Sequence, residues 1–131
     1  MQLGLIGKSL AHSFSQRYFQ EKFANNGLGN YSYENFELAQ IQDFPALLKK
    51  HPQLRGLNVT IPYKETIIPF LDELSPEARA IGAVNTLNLR GGLKKGYNTD
   101  QYGFCESLKP RLQKNHSRAL ILGTGRSLPS G

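Results

Sequence analysis

Apolar positions along the chain come in short runs of two different periods. Leu3-Gly-Leu-Ile-Gly7 is a compact apolar run closed by glycine, and it predicts a buried strand. Between Ser15 and Asn26 the rings of Tyr18, Phe19 and Phe23 recur at helical spacing, and Asn26-Gly27 supplies the stop. Tyr31, Tyr33 and Phe36 favour a second strand whose alternation slips midway. Phe44, Leu47 and Leu48 mark one face of a helix, with Asp43 as its N-cap and Pro52 beyond its end. Leu54 to Val59 is a third strand flowing into Thr60-Ile-Pro-Tyr-Lys64. Ser75-Pro76-Glu77 combines an N-cap, a first-turn proline and a first-turn acid, opening a helix that stops at Gly82.

Ala83–Leu89 and Leu93–Asn98 flank Gly91-Gly92 and predict a β-hairpin. Thr99 or Asp100 then caps a helix running to about Leu112, and Ala119–Leu122 forms a last strand leading into Gly123-Thr-Gly125. Strands alternating with helices of this length predict an α/β fold in three layers. Its sheet is mixed and mostly parallel, with one antiparallel strand from the hairpin near residues 83–98.

Composition narrows the function classes. The chain has 131 residues, 39% of them hydrophobic, with 13 glycines, which is one ordinary globular domain's worth. Its one cysteine, Cys105, excludes a disulfide framework and points to a reducing compartment, so the expected location is cytoplasmic. On a helix, Cys105 would share a face with Phe104 and Leu108, which predicts core packing. No run approaches the roughly eighteen apolar residues of a membrane helix, and no leader is expected before the first strand. His12, His51 and His116 are far apart, none lies near Cys105, and no metal site is expected.

The formal net charge is +6, which invites a nucleic-acid partner. Its distribution argues otherwise. Residues 1–108 carry eleven Lys and Arg against all ten acids, whereas residues 109–131 carry five cations and no acid. A phosphate-tracking surface needs its cations on the folded body. No nucleic-acid partner is expected.

The candidate chemistry lies where strands end, the place where open α/β sheets bind ligands. Ser13 and Ser15 follow the first strand, and their hydroxyls suit a carboxylate; capping of the next helix is the competing reading. Pro62 stiffens the turn that precedes Lys64, a residue able to hold an anion or exchange a proton, or simply to lie in solvent on a helical turn. Asn85 lies in an apolar strand, where its amide needs partners. Asp100 is either a helix cap or a carboxylate paired with Lys64.

Four stretches, in order, resemble the shikimate dehydrogenase family: Gly-Leu-Ile-Gly7 through His12-Ser-Phe-Ser15, Asn58-Val-Thr-Ile-Pro-Tyr-Lys64, Gly82-Ala-Val-Asn-Thr86 and Asn98-Thr-Asp100. The resemblance spans about residues 3–125. It implies NADPH-dependent, reversible reduction of 3-dehydroshikimate to shikimate, a step of chorismate and aromatic amino acid biosynthesis. By the same resemblance Ser13 and Ser15 bind the substrate carboxylate, and Thr60, Asn85 and Asp100 hold ring hydroxyls. Lys64 with Asp100 forms the catalytic pair. A relative using quinate or NAD, and a non-catalytic module binding a small hydroxy-acid, are the alternatives; the lysine–carboxylate pair weighs against the module.

Two departures stand out. Gln16 occupies the place where the family usually has proline after its second serine. Gly123-Thr-Gly125 resembles the start of an NADP-binding Rossmann domain, but Arg126-Ser-Leu-Pro-Ser-Gly131 lacks the next glycine and the apolar period of a helix. The expectation is therefore a substrate-binding domain over 1–112. Residues 113–131 are expected to be a linker and the first strand of a truncated dinucleotide domain, followed by a non-family tail. Gly123 and Gly125 are a remnant of a cofactor loop; NADP is expected to serve the complete protein and not to bind this chain, which should lack turnover alone. A surface that the family covers with its C-terminal segment would be left apolar, so self-association is expected.

Overall fold

Six strands, β1 (Gln2–Gly7), β2 (Ser32–Glu37), β3 (Leu54–Val59), β4 (Glu73–Leu74), β5 (Thr86–Asn88) and β6 (Lys95–Tyr97), form one sheet in a computed structural model that describes residues 1–120. Their order across the sheet is β2-β1-β3-β5-β6-β4. β1 pairs in parallel with β2 and β3, and β4 with β6, whereas β5 is antiparallel to both β3 and β6. The reversed strand is the first arm of the expected hairpin. Gly91 and Gly92 turn it with φ of 71° and 80°, a backbone region open to glycine.

Helices α1 (Ser15–Asn25), α2 (Phe44–Lys50), α3 (Tyr63–Thr66), α4 (Pro76–Ile81) and α5 (Asp100–Leu108) connect the strands. The period-2 alternation of β1 divides the core. Leu5 joins Leu10, Phe23 and Tyr33 beneath α1, while Ile6 joins Phe36, Phe44, Leu57, Val59, Tyr63 and Ile67 on the other face. Helices on both faces make the three layers. The slip in β2 has the same cause: Tyr33 and Phe36 face opposite layers, both covered. Close packing leaves no room at Gly4, where a Cβ would lie 2.5 Å from the Phe36 ring and 2.6 Å from the Glu34 carbonyl oxygen.

The start and stop of α4 fall as expected. Ser75 Oγ accepts the Ala78 N–H at 3.2 Å, and Gly82 ends the helix with φ 72°. Two other caps differ. Asp43 makes no cap bond to α2, because residues Ile41–Asp43 already coil as a 3-10 turn and its own backbone is helical. Thr99 likewise caps nothing, and Asp100 is the first residue of α5. Asn98 serves instead: its Oδ1 accepts the Gln101 N–H at 3.2 Å while its Nδ2 donates to Ala83 O at 3.0 Å.

Core packing of Cys105 is not found. α5 buries none of its residues; Phe104 is 45% and Leu108 37% exposed, because no described element packs on their stripe. The helix ends at Leu108 and continues as a 3-10 turn, Lys109–Arg111, close to the expected end at Leu112. Ala119 and Leu120 belong to no strand, and the rest of the expected strand, with Gly123 and Gly125, lies outside the described residues. Among the described residues no helix is long and apolar enough to cross a membrane.

Candidate active site

The carboxyl ends of β1, β3 and β6 and the start of the reversed β5 lie at one end of the sheet. Reversal of β5 is what brings Asn85 to that end. The Thr60 N–H donates to Ile6 O at 3.0 Å, so the loops leaving β1 and β3 begin side by side. Thr60 also packs on Gly7, where a Cβ would meet its Cγ2 at 2.8 Å.

Lys64 sits on the single turn of α3, reached through a cis Ile61–Pro62 bond. Its carbonyl accepts the Val84 N–H at 2.7 Å, which fastens α3 to the segment leading into Asn85. Its Nζ donates to Asp100 Oδ2 at 2.5 Å, with both side chains about one-third exposed, at 28% and 37%. Asp100 opens α5, where the helix dipole favours a negative charge. Its other oxygen, Oδ1, accepts from Asn85 Nδ2 at 2.8 Å.

Asn85 is buried and fully engaged. Its Oδ1 accepts the Thr99 N–H at 2.9 Å and the Thr86 hydroxyl at 3.1 Å, and its Nδ2 also donates to Thr99 Oγ1 at 2.8 Å. The backbone N–H of Thr99 fixes which end of the amide faces Asp100. Lys64, Asn85 and Asp100 are thus one hydrogen-bonded cluster. Of the two readings open for Asp100, cap or partner, the partner reading is the one found.

Ser13, in the loop after β1, and Ser15, the first residue of α1, are half-buried. Ser13 Oγ accepts the Ser15 N–H at 3.3 Å, while the N-cap position itself belongs to Phe14, which makes no side-chain cap bond. The helix begins at Ser15, with Gln16 as its second residue. Ser15 lies beside the Tyr33 phenol, whose hydroxyl donates to Asn58 Oδ1 at 2.8 Å. Burial pushes the Tyr33 phenol up to about 12, the Ser15 contact opposing it.

Tyr33, Asn58, Thr86 and Asn98 are participants that the sequence reading does not single out. Asn98 carries a usable signal, since an Asx residue two positions before an acidic first turn is a cap pattern. Tyr33 reads as an apolar strand position, and its hydroxyl gives no separate sign.

Among the described residues no group of three or more His, Cys, Asp or Glu is placed to hold a metal ion. A helix start behind a glycine-rich loop, the usual cradle of a dinucleotide, is not found among the described residues. A recess of about 900 Å³ near Leu54, Arg55 and Arg90 is at the opposite end of the sheet from the Lys64–Asp100 pair. A smaller one of about 270 Å³ is floored by Tyr33, Asn58 and Thr86. The convergent polar side chains, not the larger hollow, mark the site.

Residues 5–87 match the shikimate dehydrogenase substrate binding domain family. A shikimate dehydrogenase (NADP(+)) of Syntrophomonas wolfei is 45% identical over 94% of this chain and 42% of its own length. The shikimate dehydrogenase of Thermus thermophilus, solved in complex with shikimate, superposes with a TM-score of 0.75 at 38% identity, over 84% of this chain and 42% of that one. A ligand-free 5-ketofructose reductase of Gluconobacter superposes with a TM-score of 0.76 at 27% identity, over 86% of this chain and 40% of that one. The chain spans less than half the length of the curated relatives it matches.

Proposed function

The chain belongs to the shikimate dehydrogenase family through its substrate-binding domain, and from that premise we propose that residues 1–112 hold shikimate and 3-dehydroshikimate for reversible, NADPH-dependent interconversion. The observation that carries this reading is the Lys64–Asp100–Asn85 cluster. A domain that only bound a neutral polyol would have no need of an ammonium held on a carboxylate.

Ser13 and Ser15 donate to the substrate carboxylate; Thr60, Asn85 and Asp100 hold its ring hydroxyls. Lys64 lies beside the ketone oxygen, where negative charge builds as the carbonyl carbon is reduced, and its ammonium stabilises that charge and supplies a proton. Asp100 holds the Lys64 ammonium in place. NADPH supplies the hydride when bound, and residues 113–131 lead towards the dinucleotide domain that would hold it. In this reading the domain works in the cytoplasm and binds shikimate, and turnover requires the dinucleotide domain as well. The exposed Tyr102, Phe104, Leu108 and Leu112 support its self-association.

Calorimetric titration of shikimate into the wild type and a Lys64→Ala variant tests the assignment. Saturable binding weakened roughly tenfold by the substitution is expected, the worth of one charge-assisted hydrogen bond. Equal affinities would remove Lys64 from the site. NADPH oxidation by the same chain with 3-dehydroshikimate should be absent, and measurable turnover would overturn the reading of 113–131.

A further inference from the structure

One buried hydroxyl joins parts of the site that the substrate itself would separate. Tyr33 is 2% exposed, and its ring stacks on Phe19 with centroids 4.6 Å apart and planes 16° from parallel. Phenylalanine would serve that packing as well. A hydroxyl buried there costs stability unless it is bonded, so its partner shows what it is for. The other buried tyrosine offers a contrast: the Tyr63 hydroxyl donates to a backbone carbonyl, Leu38 O, and ends there. Tyr33 instead donates to a side chain on the strand that leads to Thr60 and Lys64.

From Asn58 the donors follow one another towards Asp100. With Oδ1 occupied by Tyr33, Asn58 must turn its Nδ2 to Thr86 Oγ1 at 3.3 Å and to Asn85 O at 3.5 Å. Thr86, accepting there, gives its proton to Asn85 Oδ1 at 3.1 Å. Asn85 then donates to Asp100 Oδ1, whose Oδ2 receives Lys64. The Asn85 carbonyl, which can only accept, marks the donating end of the Asn58 amide, and the phenol holds its accepting end in place. At the opposite end of the chain of bonds, the Ser15 side chain lies beside the same phenol.

We propose that Tyr33 is a positioning residue for the substrate site, setting the amide of Asn58 and so joining the serine loop to the Lys64–Asn85–Asp100 cluster. This inference rests on the proposed shikimate-binding role. Tyr33 never needs to touch the ligand: it acts through Asn58.

The test is Tyr33→Phe, which keeps the stack and removes one oxygen, together with Asn58→Ala and the double variant. In the ligand-free chain, two-dimensional NMR should show the Asn58 side-chain amide signals displaced by Tyr33→Phe, with those of exposed Asn26 unmoved. Shikimate affinity should fall roughly tenfold. In the Asn58→Ala background the same substitution should change affinity by less than about twofold, because the path it acts through is already cut. Thr86→Val interrupts the next link without disturbing the Tyr33 stack, and it should weaken shikimate binding as well. Unmoved Asn58 signals, wild-type affinity in Tyr33→Phe, or additive losses in the double variant would each overturn the assignment. A wild-type chain that takes up no shikimate would overturn the proposed function instead, and the amide signals would still decide whether Tyr33 sets Asn58.

Discussion

Tyr33 couples proton binding to folding as well as holding a neighbour. Its phenol is pushed from the ordinary 10 up to about 12, chiefly by burial. The folded chain therefore keeps this proton more tightly than the unfolded chain does. The associated stabilisation is fully present below pH 10 and is lost as pH rises towards 12. Urea unfolding midpoints should fall across that window in the wild type, and the fall should be shallower in Tyr33→Phe. Parallel curves for the two proteins would show that another group governs alkaline unfolding. The neutral phenol also remains a donor throughout the physiological range, which the bond to Asn58 requires.

At the scale of elements, α4 and α5 show what local chemistry does and does not announce. Ser75, Pro76 and Gly82 are each read from their own intrinsic preferences, and the helix between them matches. Ser75→Ala should lower stability by about 1 kcal/mol, seen as an earlier thermal transition, while leaving shikimate affinity unchanged, since α4 contributes none of the proposed ligand contacts. A loss of affinity would tie α4 to the site. The start of α5 is legible only in part, because Asn98, Thr99 and Asp100 are all competent caps and tertiary contacts choose among them. Asp100 is taken by Lys64 and Asn85, which leaves the cap to Asn98.

The same limit governs the site as a whole. Ser13, Ser15, Thr60, Lys64, Asn85 and Asp100 are named through motif resemblance, and the last three prove to be joined through the Asp100 carboxylate. Nothing in period or propensity tells Asn58 from any polar position in β3. Its partner Tyr33 lies on a different strand, and a pattern read along one segment carries no information about a bond between two.

Across the whole molecule, the core is divided by the sheet, and α5 stands outside both halves. Phe104 is 45% exposed, and Leu108, one turn further along the same face, is 37% exposed. Burial of such a stripe against a second copy is worth about 25 cal/mol per Å² of apolar surface removed from water. Sedimentation velocity should therefore show association rising with concentration in the wild type and reduced in Phe104→Glu/Leu108→Glu. Shikimate affinity should be the same in both, as the substitutions lie beyond the first turn of α5. A monomeric wild type at all concentrations would refute the proposed self-association.

The reversed strand has a consequence for how such a domain can change over time. The proposed ligand contacts sit beyond the ends of β1, β3, β5 and β6, in the connecting segments and the helices they open, while the residues that fix register lie within the strands themselves. Substitutions in one connection can alter which hydroxyl or carbonyl is favoured without shifting a single pairing in the sheet. Asn58 and Tyr33 are exceptions, lying within strands and answering to both demands. Divergence towards new polyols and hydroxy-acids would be expected to run through the connections first and to reach that pair last.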